Sequence, residues 1–398
     1  MNIAILSYSS EKYKSNKLII EAGKKRNHNV FVLNPNNLVL YLSQKEGVNR
    51  IYTNKNGILE RLPKIDALIP RVASNVSHCA SIIEFFTNNL GVYSTQSGES
   101  IRICSSKWLT LIKANEFGIK VPKTFYCSDY KSENLESQAE TLGYPVILKE
   151  NFSSQGTGLI SIPNLSTLLN VTETLNKNGK PFILQQKIQT KGKQHDFRTI
   201  VIGKTNCVVT MKKTVNGSKE WRTNLARKGT AEKYELSEKE RQFCIRVAQT
   251  IDSDICGIDW IKDSGQNGQD GQQLYLLENN SNMGVKVIDV VSYNFFNDLF
   301  FHIELAVQDF KKSKKEKDDN QKQNNFLYEE IQNLKNELNK KENLLNEIFD
   351  NEKMKNLFRS LKGKLSGYTD SEKKEKKIKI TKPKQIIEMM IDMLEVEK

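Results

Sequence analysis

The sequence predicts an α+β protein made of an N-terminal α/β unit, a body rich in antiparallel strands, and a charged helical tail. Three observations carry this expectation. The first 95 residues or so alternate β-type apolar runs with a helical stretch, the middle of the chain strings short apolar runs between turns, and beyond Phe310 the composition shifts to Lys, Glu, Asn and Gln. A chain of 398 residues also fits two or three packed units, because single cores stop growing at roughly 250 to 300 residues.

Residues 2–7 (NIAILS) form a β-type run, Leu18, Ile19 and Ala22 fall at helical spacing, and residues 30–33 (VFVL) are β-like again. With residues 67–70 (ALIP) after the turn at Pro63, this order predicts a small parallel sheet. The turn after the first run, SYSSEKYKS, holds no glycine, so ordinary dinucleotide binding is set aside. Residues 105–118 turn helical through Trp108, Leu111, Ile112 and Phe117, with Gly118 as the stop before Val121 and Pro122. Residues 145–149 (PVILK) read as a strand that enters the hydroxyl- and glycine-rich loop ENFSSQGTG at 150–158, and residues 159–162 resume a strand.

Residues 182–186, 197–202 and 207–211 read as successive strands of an antiparallel sheet, and residues 238–251 as an amphipathic helix. A last strand pair, 256–261 and 273–277, is joined by KDSGQNGQDG. In the tail, Leu327, Ile331, Leu334, Leu338, Leu345 and Ile348 keep heptad spacing, with Lys341 at one core position. Both a short coiled coil and a lone helix docking on the body fit that pattern. A second stripe, Ile386, Ile387, Met390, Met393 and Leu394, reads as core packing.

The net charge of +13 invites a nucleic-acid partner. Much of the excess lies in lysine runs near Lys311 and Lys373, which suit a solvated or ribosome-facing tail as well as a specific groove. The six cysteines form no CxxC pair, so neither a disulfide framework nor a zinc site is expected, and a reducing, cytoplasmic setting is the simplest reading. No stretch approaches the ~20 apolar residues of a membrane span. The four histidines have no HExxH spacing and there is no GxSxG elbow, which sets aside zinc hydrolysis and serine chemistry.

What remains is a phosphate and metal constellation. Glu278 and Asn280, two apart on a strand, present oxygens to one face, and Asp259 projects from a neighbouring strand. Hard oxygen ligands completed by nucleotide phosphates suit Mg²⁺. Alone, an ExN at a strand end is more often structural. Its weight comes from Lys149, which ends a strand just before the SSQGTG loop, where an ammonium and loop amides can meet phosphates. The loop lacks the GxxxxGKS/T pattern, so a P-loop is disfavoured.

From residue 1 to about 305 the chain resembles the RimK-like ATP-grasp ligases. The anchors, in order, are MNIAILS, IDALIPRV with Arg71, Lys107, PVILK with SSQGTG, DFR at 196–198, WRTNLARKG at 221–229, GID at Asp259, and LLENNSN. The resemblance implies an ATP-grasp fold divided into an N-terminal pre-ATP-grasp domain (1–95), a central subdomain with the phosphate loop (96–185), a second subdomain with the metal site (186–310), and the tail (311–398). It implies ATP and Mg²⁺ or Mn²⁺, with two ions expected. Lys107, Lys149, Ser154, Gln155 and Gly156 would meet phosphates, Gln185, Gln186 and Lys187 the adenine side, and Asp196 the ribose. Arg198, Arg222, Thr223 and Asn224 would serve the nucleotide and the reacting groups. Asp259, Glu278 and Asn280 would hold the metal, and Arg71 would receive a substrate carboxylate. Two departures stand out: Gln186-Lys187 where the family has Glu-Tyr, and Asn280-Ser-Asn-Met-Gly284 where it has NxSPG.

By the family's scheme a substrate carboxylate is phosphorylated by ATP and an amine then displaces phosphate. Three readings follow. The leading one adds glutamate to the C-terminus of a protein or peptide, with the basic tail as a ribosome contact. The second is a ligase for another acceptor, such as a peptide closed by side-chain amides or esters or a cofactor tail. The third is a non-catalytic nucleotide-binding scaffold, a homo-oligomer assembled by the C-terminal helices.

Overall fold

The structure, a computed structural model, describes residues 1–43, 50–127, 131–153, 158–177, 181–215, 223, 229–264, 273–350, 352 and 356. Two compact units divide the chain, Met1–Lys315 and Glu316–Lys398.

The first unit opens with β1 (Asn2–Leu6), α1 (Lys14–Lys25) and β2 (Asn29–Leu33). An antiparallel meander not expected from the sequence follows: β3 (Leu38–Tyr41), β4 (Arg50–Lys55) and β5 (Ile58–Arg61), of which only β4 buries a residue, Ile51. The chain returns through β6 (Ala67–Pro70), α2 (Val76–Glu84) and β7 (Tyr93–Ser94). Strands β2-β1-β6-β7 form the parallel sheet expected from the β-α-β order. Its central strands bury Ile3, Ile5, Leu68 and Ile69, as a sheet covered on both faces requires.

Helices α3 (Gly98–Ser105) and α4 (Lys107–Glu116) follow. The predicted helix begins only at Lys107, because Ser106 breaks the run and accepts the backbone N–H of Leu109 as an N-cap. Gly118 (φ +70°) closes it, as expected. Next come β8 (Thr124–Cys127), α5 (Ser132–Leu142), β9 (Val146–Glu150), β10 (Leu159–Ile162), α6 (Leu165–Lys177) and β11 (Phe182–Gln186). They form a sheet of order β10-β9-β11-β8 with a core of its own around Leu148, Phe182 and Leu184.

The remaining strands are β12 (His195–Ile202), β13 (Asn206–Thr214) and β14 (Thr230–Lys233), followed by α7 (Glu238–Ile251), β15 (Ile255–Lys262) and β16 (Leu274–Asn280). Their order is β14-β13-β12-β15-β16, all antiparallel. Residues 182–186 therefore do not share a sheet with 197–202 and 207–211, contrary to the sequence expectation. All three are short, mostly apolar runs, and the hydrogen-bonded partner is what separates them. A Ser237 and Glu240 capping box starts α7 where the periodicity begins.

After α8 (Lys286–Val291), α9 spans Phe296–Asp350. Its first turns bury Phe296, Leu299, Phe300 and Ile303 in a cluster with Ile3, Ile5 and Ile69 of the parallel sheet and Ile200, Met211 and Ile255 of the five-stranded sheet. Ion pairs from Lys14 of α1 to Asp289 of α8 and from Arg26, just after α1, to Glu304 of α9 tie the same helices to the N-terminal unit. The N-terminal sheet and the five-stranded sheet thus share one core, which fixes the loops between them. In the second unit, Leu327, Ile331, Leu334 and Leu338 lie on the helix and are exposed. The second apolar stripe, residues 386–394, lies outside the described residues. Among the described residues no helix is long and apolar enough to cross a membrane.

Candidate active site

The centre of the site is a three-strand register. Arg198 of β12 stands opposite Asp259 of β15, which stands opposite Glu278 of β16, and Gly257 stands opposite Asn280. A bulge between Asp259 and Trp260 interrupts the pairing there and re-aims the strand, a common device beside active sites. Trp260 is buried on the far side, stacked on Phe197 at 4.3 Å between centroids, so Asp259 points the other way.

Asp259 is the most heavily partnered carboxylate. Arg198 donates Nε–H to Oδ1 at 2.9 Å and Nη2–H to Oδ2, and Lys213 donates to Oδ1 at 3.0 Å. Asn280 donates its amide to Oδ2 at 3.1 Å. Burial would raise the Asp259 pKa, but the guanidinium and the ammonium override it and hold the group at about 2. Lys213 also reaches Asp196 Oδ1 at 2.9 Å, and Thr223 donates to Asp196 Oδ2 at 2.6 Å. Burial opposes the charge on Lys213, yet the two carboxylates raise its pKa.

Lys149 is buried at the end of β9 and donates to Gln185 Oε1 at 2.5 Å, while Gln185 donates to Thr124 Oγ1 at 2.9 Å. Burial lowers the Lys149 pKa to about 8, with the Lys107 charge adding to that effect against the nearby Glu278, Asp196 and Asp259. Lys107, at the first position of α4, donates to the Ser153 carbonyl at 2.5 Å and so ties the start of that helix to the chain just beyond β9.

Lys149, Gln185, Gln186, Lys187, Asp196 and Thr223 line one cleft, whose apolar walls include Ile147, Leu159, Ile188, Ile261 and Leu277. Those walls come from both the four-stranded and the five-stranded sheet. A flat apolar base between two sheets with polar groups at one end suits a nucleotide.

Glu278 is the exception to this pairing. It faces Asp259 in register, and among the described residues no hydrogen bond or ion pair engages its carboxylate. Asn280 spends its N–H donors on Asp259 and the Gly257 carbonyl, which leaves its amide oxygen as the available acceptor. A half-buried free carboxylate, an amide oxygen and the edge of Asp259 form a hard-oxygen donor set that fits Mg²⁺ or Mn²⁺. Among the described residues no three His, Cys, Asp or Glu side chains cluster as a preformed metal cage, in keeping with an ion that takes its remaining ligands from phosphate and water.

Of the residues singled out from sequence, Lys149, Gln185, Asp196, Arg198, Thr223, Asp259, Glu278 and Asn280 come together. Ser154, Gln155, Gly156, Arg222 and Asn224 lie outside the described residues. Arg71 stands apart from the carboxylates, bonded to Met283 just beyond Asn280. Lys213 was missed. In the run CVVTMKKT it looks like the solvated end of a strand, and only its register on β12 shows that it is buried between two acids.

Gly257 is needed at its place: a Cβ there would lie 2.9 Å from Met283 Cβ. Gly257→Ala is expected to displace the 281–284 loop and cost about 1 to 3 kcal/mol, measured as a lower midpoint in thermal unfolding.

Residues 1–101 match the model of the RimK PreATP-grasp domain, and residues 104–296 match that of the RimK-like ATP-grasp domain. A "Probable alpha-L-glutamate ligase" of Histophilus somni (strain 2336) is 30% identical over 277 residues, covering 68% of this chain and 88% of its own length. A "Probable alpha-L-glutamate ligase 2" of Hahella chejuensis is 31% identical over 300 residues, covering 73% of this chain and 90% of its own. Among solved structures, the ATP-grasp ligase PsnB complexed with a precursor variant, Mg and ADP superposes with a TM-score of 0.57 at 13% identity, covering 77% of this chain and 98% of its own. The D-alanine--D-alanine ligase of Bacillus anthracis complexed with ATP gives 0.54 at 14%, covering 79% and 99%. The fold is ATP-grasp with an N-terminal pre-ATP-grasp domain. The chain belongs to the RimK-like ATP-grasp ligases, enzymes that form carbon–nitrogen bonds.

Proposed function

We propose that the protein adds glutamate to the C-terminus of a protein or peptide in the cytoplasm, at the expense of ATP. The observation that carries the reading is the charge inventory of the site. Lys149, Arg198 and Lys213 stand among Asp196, Asp259 and Glu278, and of the three carboxylates Glu278 is the one with no ion-pair partner among the described residues. A triphosphate adds several negative charges to a cleft that already holds three carboxylates, which calls for divalent cations, and the free Glu278 carboxylate is where one would bind. Two ions suit that demand. The "alpha-L-glutamate ligase" names of the relatives supply the amino acid.

Asp259, Glu278 and Asn280 would hold the metal, which when bound neutralises charge that builds up on the transferred phosphoryl group. Lys149 meets the phosphates, Lys107 orders the chain at the loop, and Arg222 and Asn224 serve the reacting groups. An acceptor carboxylate oxygen attacks the γ-phosphorus as its bond to the ADP oxygen breaks. The amine nitrogen then attacks the acyl carbon, phosphate leaves and the amine loses a proton. No covalent enzyme nucleophile is required, so catalysis is positioning and charge neutralisation.

The test is ADP release by the purified chain with Mg²⁺, single amino acids and an acceptor peptide pool, followed by mass analysis. A gain of one glutamyl residue per ADP establishes the reading. Loss of water from a peptide would instead show an internal amide- or ester-forming ligase, the alternative favoured by the NSNMG loop. Nucleotide binding without turnover under any pairing would show a scaffold.

The basic tail would attract a ribosome or form a homo-oligomer. Removing residues 311–398, which takes away both lysine runs and with them the Lys311 to Asp66 ion pair, is expected to abolish salt-sensitive RNA binding. ATP affinity in the same protein should stay within about twofold.

A further inference from the structure

The β3-β4-β5 meander covers the N-terminal core with one face and leaves its other face and an edge open. Leu38, Leu40 and Ile51 turn inward and pack in the core of the parallel sheet. By the two-residue period of a strand, Val39, Tyr41, Tyr52, Leu59 and Arg61 share the opposite face, with Val39, Tyr52 and Arg61 in one cross-strand row. On that face Val39, Tyr41 and Leu59 are 39%, 40% and 54% exposed. The only acid of the three strands, Glu60, lies on the inward side and pairs with Lys55 at 2.9 Å. The open face therefore carries cations and no acid, and the exposed Arg61 guanidinium has no hydrogen bond or ion pair among the described residues.

The edge is open as well. β5 pairs with β4 on one side and with no strand on the other among the described residues, and its whole length is exposed. Proteins blunt such edges with charge, proline or a covering element, because unpaired N–H and C=O groups invite another strand. Here Ile58, 66% exposed, and Leu59 lead the edge instead. Exposed apolar patches mark interaction surfaces, and tyrosine with arginine is the composition of interface centres.

The meander is also rooted on the side of the site. It leaves β2 after Leu33, which is level with Leu6, at the sheet end where Arg71 bonds the loop after Asn280. Leu38, at that root, stands opposite Thr53 and through it Glu60, so Ile58 and Leu59 lie on the root side of β5 and Arg61 on the far side.

We propose that this open face and edge dock the acceptor polypeptide, which adds an extended segment antiparallel to β5 and sends its reacting C-terminus out past Ile58. The inference rests on the ligase reading above and names where the acceptor is gripped away from the reacting atoms. In strand addition the backbone supplies affinity and alternate side chains supply specificity. An acceptor running in that direction passes Arg61 first and Leu59 next, so the segment that fits carries an acid and then, two residues on, an apolar side chain.

The probe is an N-terminally labelled peptide, Thr-Glu-Thr-Val-Thr-Ser, followed by fluorescence anisotropy on the full chain. Lysine in place of its glutamate should weaken binding about tenfold, as should Leu59→Ser combined with Arg61→Glu in the protein. Methylation of alternate backbone nitrogens should abolish binding in one of the two phases and spare it in the other. In ADP release with the acceptor pool, the double variant should raise the half-saturating acceptor concentration about tenfold and leave the KM values for ATP and glutamate unchanged. Both substituted side chains are exposed, so the fold is kept. Equal binding of the acidic and basic peptides, equal binding of both methylated phases, or an unchanged acceptor requirement in the double variant overturns the proposal while the ligase reading stands. A wild-type dimer that the double variant dissociates also overturns it, by giving the face to a second copy of the chain. Absence of turnover with every acceptor overturns both readings.

Discussion

Glu278→Gln is expected to lower ligation at least a hundredfold while moving the thermal unfolding midpoint by no more than a few degrees. The argument lies in the asymmetry of the two facing carboxylates. Asp259 holds Arg198 and shares Lys213 with Asp196, so Asp259→Ala strands the buried Arg198 guanidinium and leaves Lys213 with one acid. Its activity loss would be accompanied by about 3 to 5 kcal/mol of destabilisation, the usual result of breaking a buried pair from one side. Glu278 has no ion pair or hydrogen bond among the described residues, so Gln keeps its shape and removes only charge and metal affinity. Losing a charged contact made at the transition state costs about 3 kcal/mol, or roughly a hundredfold in rate. Steady-state ADP release together with unfolding curves of both variants provides the check. Near-normal turnover in Glu278→Gln would remove the metal assignment, and equal destabilisation in both variants would remove the asymmetry.

The same contrast marks what the sequence made legible. Strand positions followed from apolar runs, and the face shared by Glu278 and Asn280 followed from the two-residue period. The register that sets Arg198 against Asp259, and Asp259 against Glu278, was not legible, because pairing depends on which strands meet. Lys213 was lost for that reason: its neighbours in sequence are those of a surface lysine, and its burial is decided by β12. The β3-β4-β5 meander escaped because its strands are short and largely exposed, with Ile58 and Leu59 open to solvent, so they carry little burial signal. Arg71 stood out only through the resemblance. That it is held by Met283, 212 residues away, is a property of the shared core that brings the N-terminal sheet against the loop after β16.

Affinity for MgATP is expected to be flat from pH 7 to about 8 and then to fall by up to tenfold per pH unit, with Lys149 as the source. In the free protein burial holds this lysine's pKa at about 8, so above that pH it is largely neutral. A bound phosphate favours the ammonium and raises its pKa, so binding takes up a proton, and linkage makes affinity fall as pH rises through the free-protein value. The sign for folding is the opposite. The unfolded chain, with an ordinary lysine, binds more protons than the native one between about pH 8 and 10.5, so this residue makes the ligand-free protein more stable as pH rises through that window. A buried lysine whose charge is wanted only when phosphate arrives explains both effects. Lys149→Arg, always charged, should flatten the binding profile, although its fork does not fit the single bond to Gln185 Oε1. Lys149→Met should weaken MgATP binding about a hundredfold at pH 7. Calorimetry in two buffers of different ionisation enthalpy measures the proton directly. Uptake approaching one proton near pH 9, absent in Lys149→Arg, is the expected result, and uptake unchanged by that substitution would assign the titration to another group.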